Sequence, residues 1–309
     1  LVTDPDFNDL LISYFPTHLQ ENYKEYILTH YLRKEIIANQ LANLVVNRAG
    51  MTFISRFSDE FSAPLPEIIK SWWIAYNLLD AQRLYAQVET LDNKIDAEIQ
   101  LRLYVGIEKA VERLCRWILR YVKDLTSASA IISKYKGHVT ALEKHMGQLI
   151  KSEEYPDVHE EERLYLANNV PTELATVISR QGYLPQVMDI VWLALEHNLD
   201  YDLVARNYFI AGRLLQVDWM RKNVLLLSRG NKWQALARSA LLADIFKLYR
   251  STMLSAINTT NGDTLAWMEA NQDKINKVKT ILEELQSYKV LDLAMLSAAI
   301  REFGHILVD

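Results

Sequence analysis

Apolar residues recur at every third or fourth position along most of this chain. The longest run is Ala97, Leu101, Tyr104, Ile107, Val111, Leu114, Ile118 and Tyr121. That period predicts a helix over 97–121 with one buried face, and Asp96 is placed to cap its first turn. A second run predicts a helix from Trp233 to Ala256, capped by Asn231, with Leu241, Ile245 and Leu248 on its buried stripe. Pro64 and Pro66 open a helix through Leu79, because proline is tolerated in a first turn. Pro171–Thr172 opens another, Pro185 opens one running to His197, and Leu291 to Phe303 reads as a closing helix. No alternating strand pattern of useful length occurs, and Asn261–Gly262 joins two helical patterns. The fold class is therefore all-α, a multi-helix bundle of two packed helical subdomains, in which short loops predict antiparallel neighbours. No repeat of fixed length supports a solenoid. The weakest patterning, 125–157, holds the acidic turn that begins at Ser152. It divides an expected N-terminal helical subdomain, 1–124, from an expected C-terminal one, 158–309.

One predicted helix carries an unusual polar face. In LRKEIIANQLANLVVNRAGMTF, Leu32 to Phe53, residues Glu35, Asn39, Asn43 and Asn47 follow one another at four-residue steps. Ile37, Leu41, Leu44 and Val45 fall on the opposite arc. Asparagine is a poor helix former, since its amide competes for backbone hydrogen bonds. Two readings fit: a solvated polar face, or a face that contacts something specific.

The same stretch carries a family resemblance. The run LRKEIIANQLANLVVNRAGMTFISRFSDEFSAPLPEI is followed in order by AYNLLDAQRLYAQVETLDNKI, IEKAVERLCRWILRY, DWMRKNVLLL, NKWQALARSALLADIF and LDLAMLSAAIREF. Together they resemble the C-terminal helical region of the large bacterial NAD-specific glutamate dehydrogenases. The resemblance runs from near Tyr14 to near Phe303 and is loosest between Ser127 and Asn169. It implies a parent enzyme that converts L-glutamate and NAD to 2-oxoglutarate, ammonium and NADH. It also implies that NAD and glutamate are bound by an upstream domain. The implied partners are that catalytic domain and neighbouring subunits of a homo-oligomer. Arg33, Glu35, Asn39, Asn43, Asn47 and Arg48 are the expected interdomain or polar-network residues.

Composition narrows the alternatives. The 309 residues carry a net charge of -5, which argues against duplex nucleic acid as a partner. No apolar run is long enough to span a bilayer. The N-terminus LVTDPDFND has no signal-peptide core and no initial Met, so a piece of a longer protein is expected. A single cysteine suits a reducing cytoplasm.

Catalytic, cofactor-binding and metal-binding residues are not expected here. No two glycines lie closer than ten residues, so neither a dinucleotide-binding turn nor a phosphate loop has its close glycines. His138 and His145, with Glu143 near, supply too few ligands for a metal site. Cys115 reads as a core or boundary thiol. Arg113, Arg116, Arg120 and Lys123 form a basic edge that either pairs with its own helix or meets an acidic surface. Trp72 and Trp73 cannot share a helix face, so either one reaches the core and the other is left for a partner, or both are buried between packed helices. The competing class is a free-standing helical scaffold or adaptor, which would bind partner helices in an apolar groove.

Overall fold

Side-chain caps and prolines set where the helices begin. In the computed structural model, which describes residues 5–149 and 156–307, Asp96 accepts a hydrogen bond from the Glu98 amide at 2.7 Å and starts the helix Ala97–Tyr121. Asn231 does the same for Lys232–Thr260 through the Gln234 amide at 3.0 Å. Pro64 stands at the entry of Leu65–Leu78 and Pro171 at that of Thr172–Ser179. No strand occurs among the described residues. The acidic turn beginning at Ser152 lies outside them, as do the side chains of Glu143 and His145.

The chain divides into two compact units, 1–188 and 189–309. The first holds α1 (Asn8–Ser13), α2 (Thr17–Asn22), α3 (Lys24–Leu28), α4 (Arg33–Ala49), α5 (Phe53–Phe61), α6 (Leu65–Leu78), α7 (Ala81–Glu89), α8 (Ala97–Tyr121), α9 (Ala128–Leu149), α10 (Pro156–Ala167) and α11 (Thr172–Ser179). The break falls within α12 (Leu184–His197). The second holds α13 (Tyr201–Leu214), α14 (Val217–Leu226), α15 (Lys232–Thr260), α16 (Thr264–Ala270), α17 (Gln272–Ser287) and α18 (Leu293–Leu307). The weakly patterned stretch expected at 125–157 includes α9, which packs on α6, and leads to α10, which packs on α11. Both helices belong to the first unit.

In that unit α6 and α8 form the centre, flanked by α7, α9 and α11. Ile68 and Trp72 from α6 and Leu103, Ile107, Leu114 and Ile118 from α8 are buried. Each such side chain contributes about 1.5–3 kcal/mol by leaving water. The stripe on α8 differs from the predicted one at its start. Leu101 is exposed, while Ile99 and Leu103 take the buried side. Gly106 explains how closely α11 approaches: a Cβ there would collide with the Ile178 side chain. Trp72 is buried, and Trp73 is half-buried with its ring 5.5 Å from Phe7.

In the second unit α15 is the hub and packs against α13, α14, α16 and α18. Its core includes Ile245, Met253, Val278, Leu282, Leu296 and Phe303. A polar knot sits in that core. Buried Asp189 accepts a hydrogen bond from the Tyr208 hydroxyl at 2.8 Å and an ion pair from Arg250, and the Tyr249 hydroxyl donates to the Tyr208 carbonyl. Burial, then the charge of Asp189, pushes the Tyr208 phenol well above its ordinary value. A buried carboxylate needs such partners, because an unpaired charge in the core is costly.

Candidate functional site

The α4 face is the candidate site, and the helix places it by burying its other side. Ile37, Leu41, Val45 and Ala49 are buried at four-residue steps, and Leu44 is half-buried. Gly50, at φ 79°, ends the helix in a conformation that favours glycine. The outward arc is then fixed. Glu35, Asn39, Asn43 and Asn47 are all exposed, and so are Ala38, Ala42 and Val46 among them. Met51, just past the helix, is 86% exposed.

The six expected residues separate into two groups. Arg33 donates to the Asn8 side chain at 2.9 Å and ties α4 to α1. Arg48 pairs with Glu89 at 3.3 Å, and its guanidinium lies 4.1 Å from the centre of the Tyr85 ring. Both arginines thus brace the first unit from the two ends of the helix. Burial pushes the Tyr85 phenol above its ordinary value, with Arg48 partly opposing the rise. Along the outward face the one described hydrogen bond joins the Asn43 amide to the Asn39 side-chain oxygen at 3.3 Å. Exposed amides interspersed with small residues can donate to and accept from another backbone at close range. The face holds no paired nucleophile and base. Among the described residues no group of three or more His, Cys, Asp and Glu side chains could hold a metal ion.

The basic edge of α8 has a different fate. Arg116 binds Glu60 at 3.0 Å and Glu112 at 3.1 Å, and Arg120 binds Glu60 at 2.8 Å. Arg56 reaches Glu112 at 2.5 Å, and Arg113 donates to Gln181 at 2.5 Å. The guanidiniums of Arg116 and Arg120 also stack on Phe57 and Phe61. An interhelix ladder between α5 and α8 results. Burial works against the Arg116 charge, but Glu60 and Glu112 outweigh it and hold the group above the usual arginine value. Glu108, one turn before Glu112, is pushed up by burial and then by that neighbour's charge. Arg56 and Glu60 stand one turn apart on α5, a spacing legible in the sequence that places both on one face but does not name α8 as their partner. Cys115 is buried beside it, and burial pushes its thiol well above the ordinary value. That makes it a core residue and a poor nucleophile.

Comparison with known proteins places this helical assembly. The family model described as "Glutamate dehydrogenase, C-terminal" matches residues 1–305. The chain belongs to that family. It is 26% identical over 310 residues to the NAD-specific glutamate dehydrogenase of Pseudomonas aeruginosa, covering 98% of this chain and 19% of that protein. It is 25% identical over 305 residues to the enzyme of the same name from Halomonas elongata, covering 97% of this chain and 19% of that protein. The Mycobacterium tuberculosis enzyme is 24% identical over 302 residues, covering 96% and 18%. The chain thus spans about a fifth of the length of these curated relatives. For a glutamate dehydrogenase C-terminal domain, the α4 face is a surface on one unit of a much larger family architecture. No helix among the described residues is long and apolar enough to cross a membrane.

Proposed function

We propose that this chain is the non-catalytic C-terminal helical domain of an NAD-dependent glutamate dehydrogenase. Its α4 face packs against the catalytic domain or a neighbouring subunit and helps to hold or regulate a homo-oligomer. The parent enzyme oxidatively deaminates L-glutamate to 2-oxoglutarate and ammonium, reducing NAD, with the chemistry located elsewhere in the polypeptide. The observation that carries the reading is the outward arc of α4. It combines three amides, a carboxylate, two alanines and an exposed valine at helical spacing. Polar groups that other proteins can bond, with small residues that let a second helix approach, suit a helix-to-helix interface. The wide glycine spacing adds support, since a dinucleotide needs a close-packed glycine turn beside a parallel sheet.

The test is co-elution. This chain and the rest of the enzyme are purified separately, mixed and measured by light scattering. The reading predicts one complex, with dehydrogenase activity restored or raised. Two separate peaks, with full activity in the other part alone, would contradict it.

A further inference from the structure

Helix α15 extends beyond the core that holds it. Burial along it begins at Leu241, and none of the residues from Lys232 to Ala240 is buried. The apolar positions nevertheless continue. Trp233 and Ala237 stand at the four-residue steps that lead into buried Leu241 and Ile245, with Leu236 and Ala240 alongside. Trp233 is 76% exposed, and Leu226, at the end of α14, is 83% exposed. Leu236 and Ala237 are half-buried, so the stripe leaves its exposed apolar end at Trp233, on the same helix pair as exposed Leu226.

The chain that carries that end is rich in cations. Between Trp219 and Ala243 the chain has five cations, Arg221, Lys222, Arg229, Lys232 and Arg238, and no carboxylate. Arg221 and Lys222 are matched by Asp218 at 2.8 and 3.6 Å. Arg238 donates to the Leu227 carbonyl at 3.4 Å, and burial together with the neighbouring Arg229 charge pushes it below the usual arginine value. The Arg238 guanidinium is thus held against the loop that carries Arg229. The first turn of α15 also carries no acidic residue, so its positive dipole end adds to the field.

The surface is held in place before any partner arrives. Asn231 caps α15, the Ser228 hydroxyl donates to the Gln234 side chain at 3.1 Å, and the Gly230 amide donates to that hydroxyl at 3.3 Å. Such preorganisation lowers the ordering cost of binding.

We propose that the surface formed by Leu226, Trp233 and Ala237, edged by Arg229 and Arg238, docks an acidic amphipathic helix of a protein partner. The partner's apolar side covers Trp233 and Leu226, and its flanking carboxylates meet the two arginines. The one-turn step from Trp233 to Ala237 on α15 suits a second helix laid along it as the occupant. The net charge of -5 over the whole chain disfavours nucleic acid.

The test uses the whole 309-residue chain and three synthetic peptides of equal length, titrated by calorimetry. One is a Leu/Glu amphipathic helix, one has the same residues scrambled, and one is a Leu/Lys amphipathic helix. The Leu/Glu helix alone is expected to bind, more weakly as salt is raised. Trp233→Glu and Arg229→Glu should each weaken that binding about tenfold or more, as for central interface residues. Both positions are exposed, so unchanged circular dichroism is expected to verify the fold. Equal binding of the scrambled peptide, no binding of the Leu/Glu helix, or indifference to both substitutions would overturn the proposal. So would Trp233-dependent capture by phosphatidylcholine–phosphatidylserine vesicles in place of the peptide, which would assign the surface to a membrane.

Discussion

Helices α4 and α8 show two fates for a polar stripe. On α4 the residues Glu35, Asn39, Asn43 and Asn47 repeat every fourth position and remain exposed. On α8 the residues Arg113, Arg116 and Arg120 repeat every third or fourth position and bond to other parts of the same unit. The difference lies in what stands opposite. Helix α5 presents Arg56 and Glu60 to α8 and completes a ladder of alternating charge, with Phe57 and Phe61 as stacking surfaces. Among the described residues nothing comparable meets the outward arc of α4. A polar stripe matched from within is part of the fold. One left unmatched is available to something outside it.

The comparison is broken most severely by removing a ladder carboxylate. Glu60→Ala leaves Arg116 and Arg120 without a shared partner at a carboxylate only 10% exposed. A loss of about 2–4 kcal/mol is expected, toward the range for breaking one partner of a buried pair. Hydrogen exchange of the α5 and α8 amides in urea would read it. Protection unchanged by the substitution would mean that the ladder is ornamental.

Gly106→Ala tests the other side of α8. The added methyl collides with Ile178, and overpacking of this kind costs about 1–3 kcal/mol. The loss should appear in the amide protection of α11 first. A fully stable variant would show that α11 is free to move away.

A smaller effect comes from Glu108. Its carboxyl is raised by burial and by the nearby Glu112, so the folded state disfavours the charged form more than the unfolded state does. The resulting penalty is present at neutral pH and is relieved as pH falls through the raised folded value. Glu108→Gln should therefore stabilise the chain at pH 7 by at most about 1 kcal/mol, discounted for partial exposure. The gain should shrink as the solution is made acidic. A gain that grows with acid would have the wrong sign for this cause.

Much of the helix framework was legible in the sequence. Asp96 and Asn231 announced the starts of α8 and α15, and proline marked those of α6 and α11. Those signals are local, so the chain alone reveals them. The exposed Leu101 was not foreseen, because periodicity fixes an apolar arc only to within the rotation that neighbouring helices then choose. Nor was the partner of the basic edge, since Glu60 and Arg116 are far apart in sequence and meet only when α5 lies along α8. The α4 stripe was legible as a stripe, and its exposure depended on what packed against the opposite arc. The Asp189–Arg250–Tyr208 knot was missed because its members come from three separate helices, none with a repeating polar pattern.

The most direct test of the account replaces Asn39, Asn43 and Asn47 together by alanine, in this chain and in the whole enzyme. In this chain the stripe is exposed and, among the described residues, its one side-chain bond joins Asn39 and Asn43, so a stability change within about 0.5 kcal/mol is expected. In the whole enzyme, loss of subunit assembly by light scattering, with a fall in dehydrogenase activity, is the predicted result. Small and equal effects in both would contradict the claim that the α4 face is the surface through which this domain joins its enzyme.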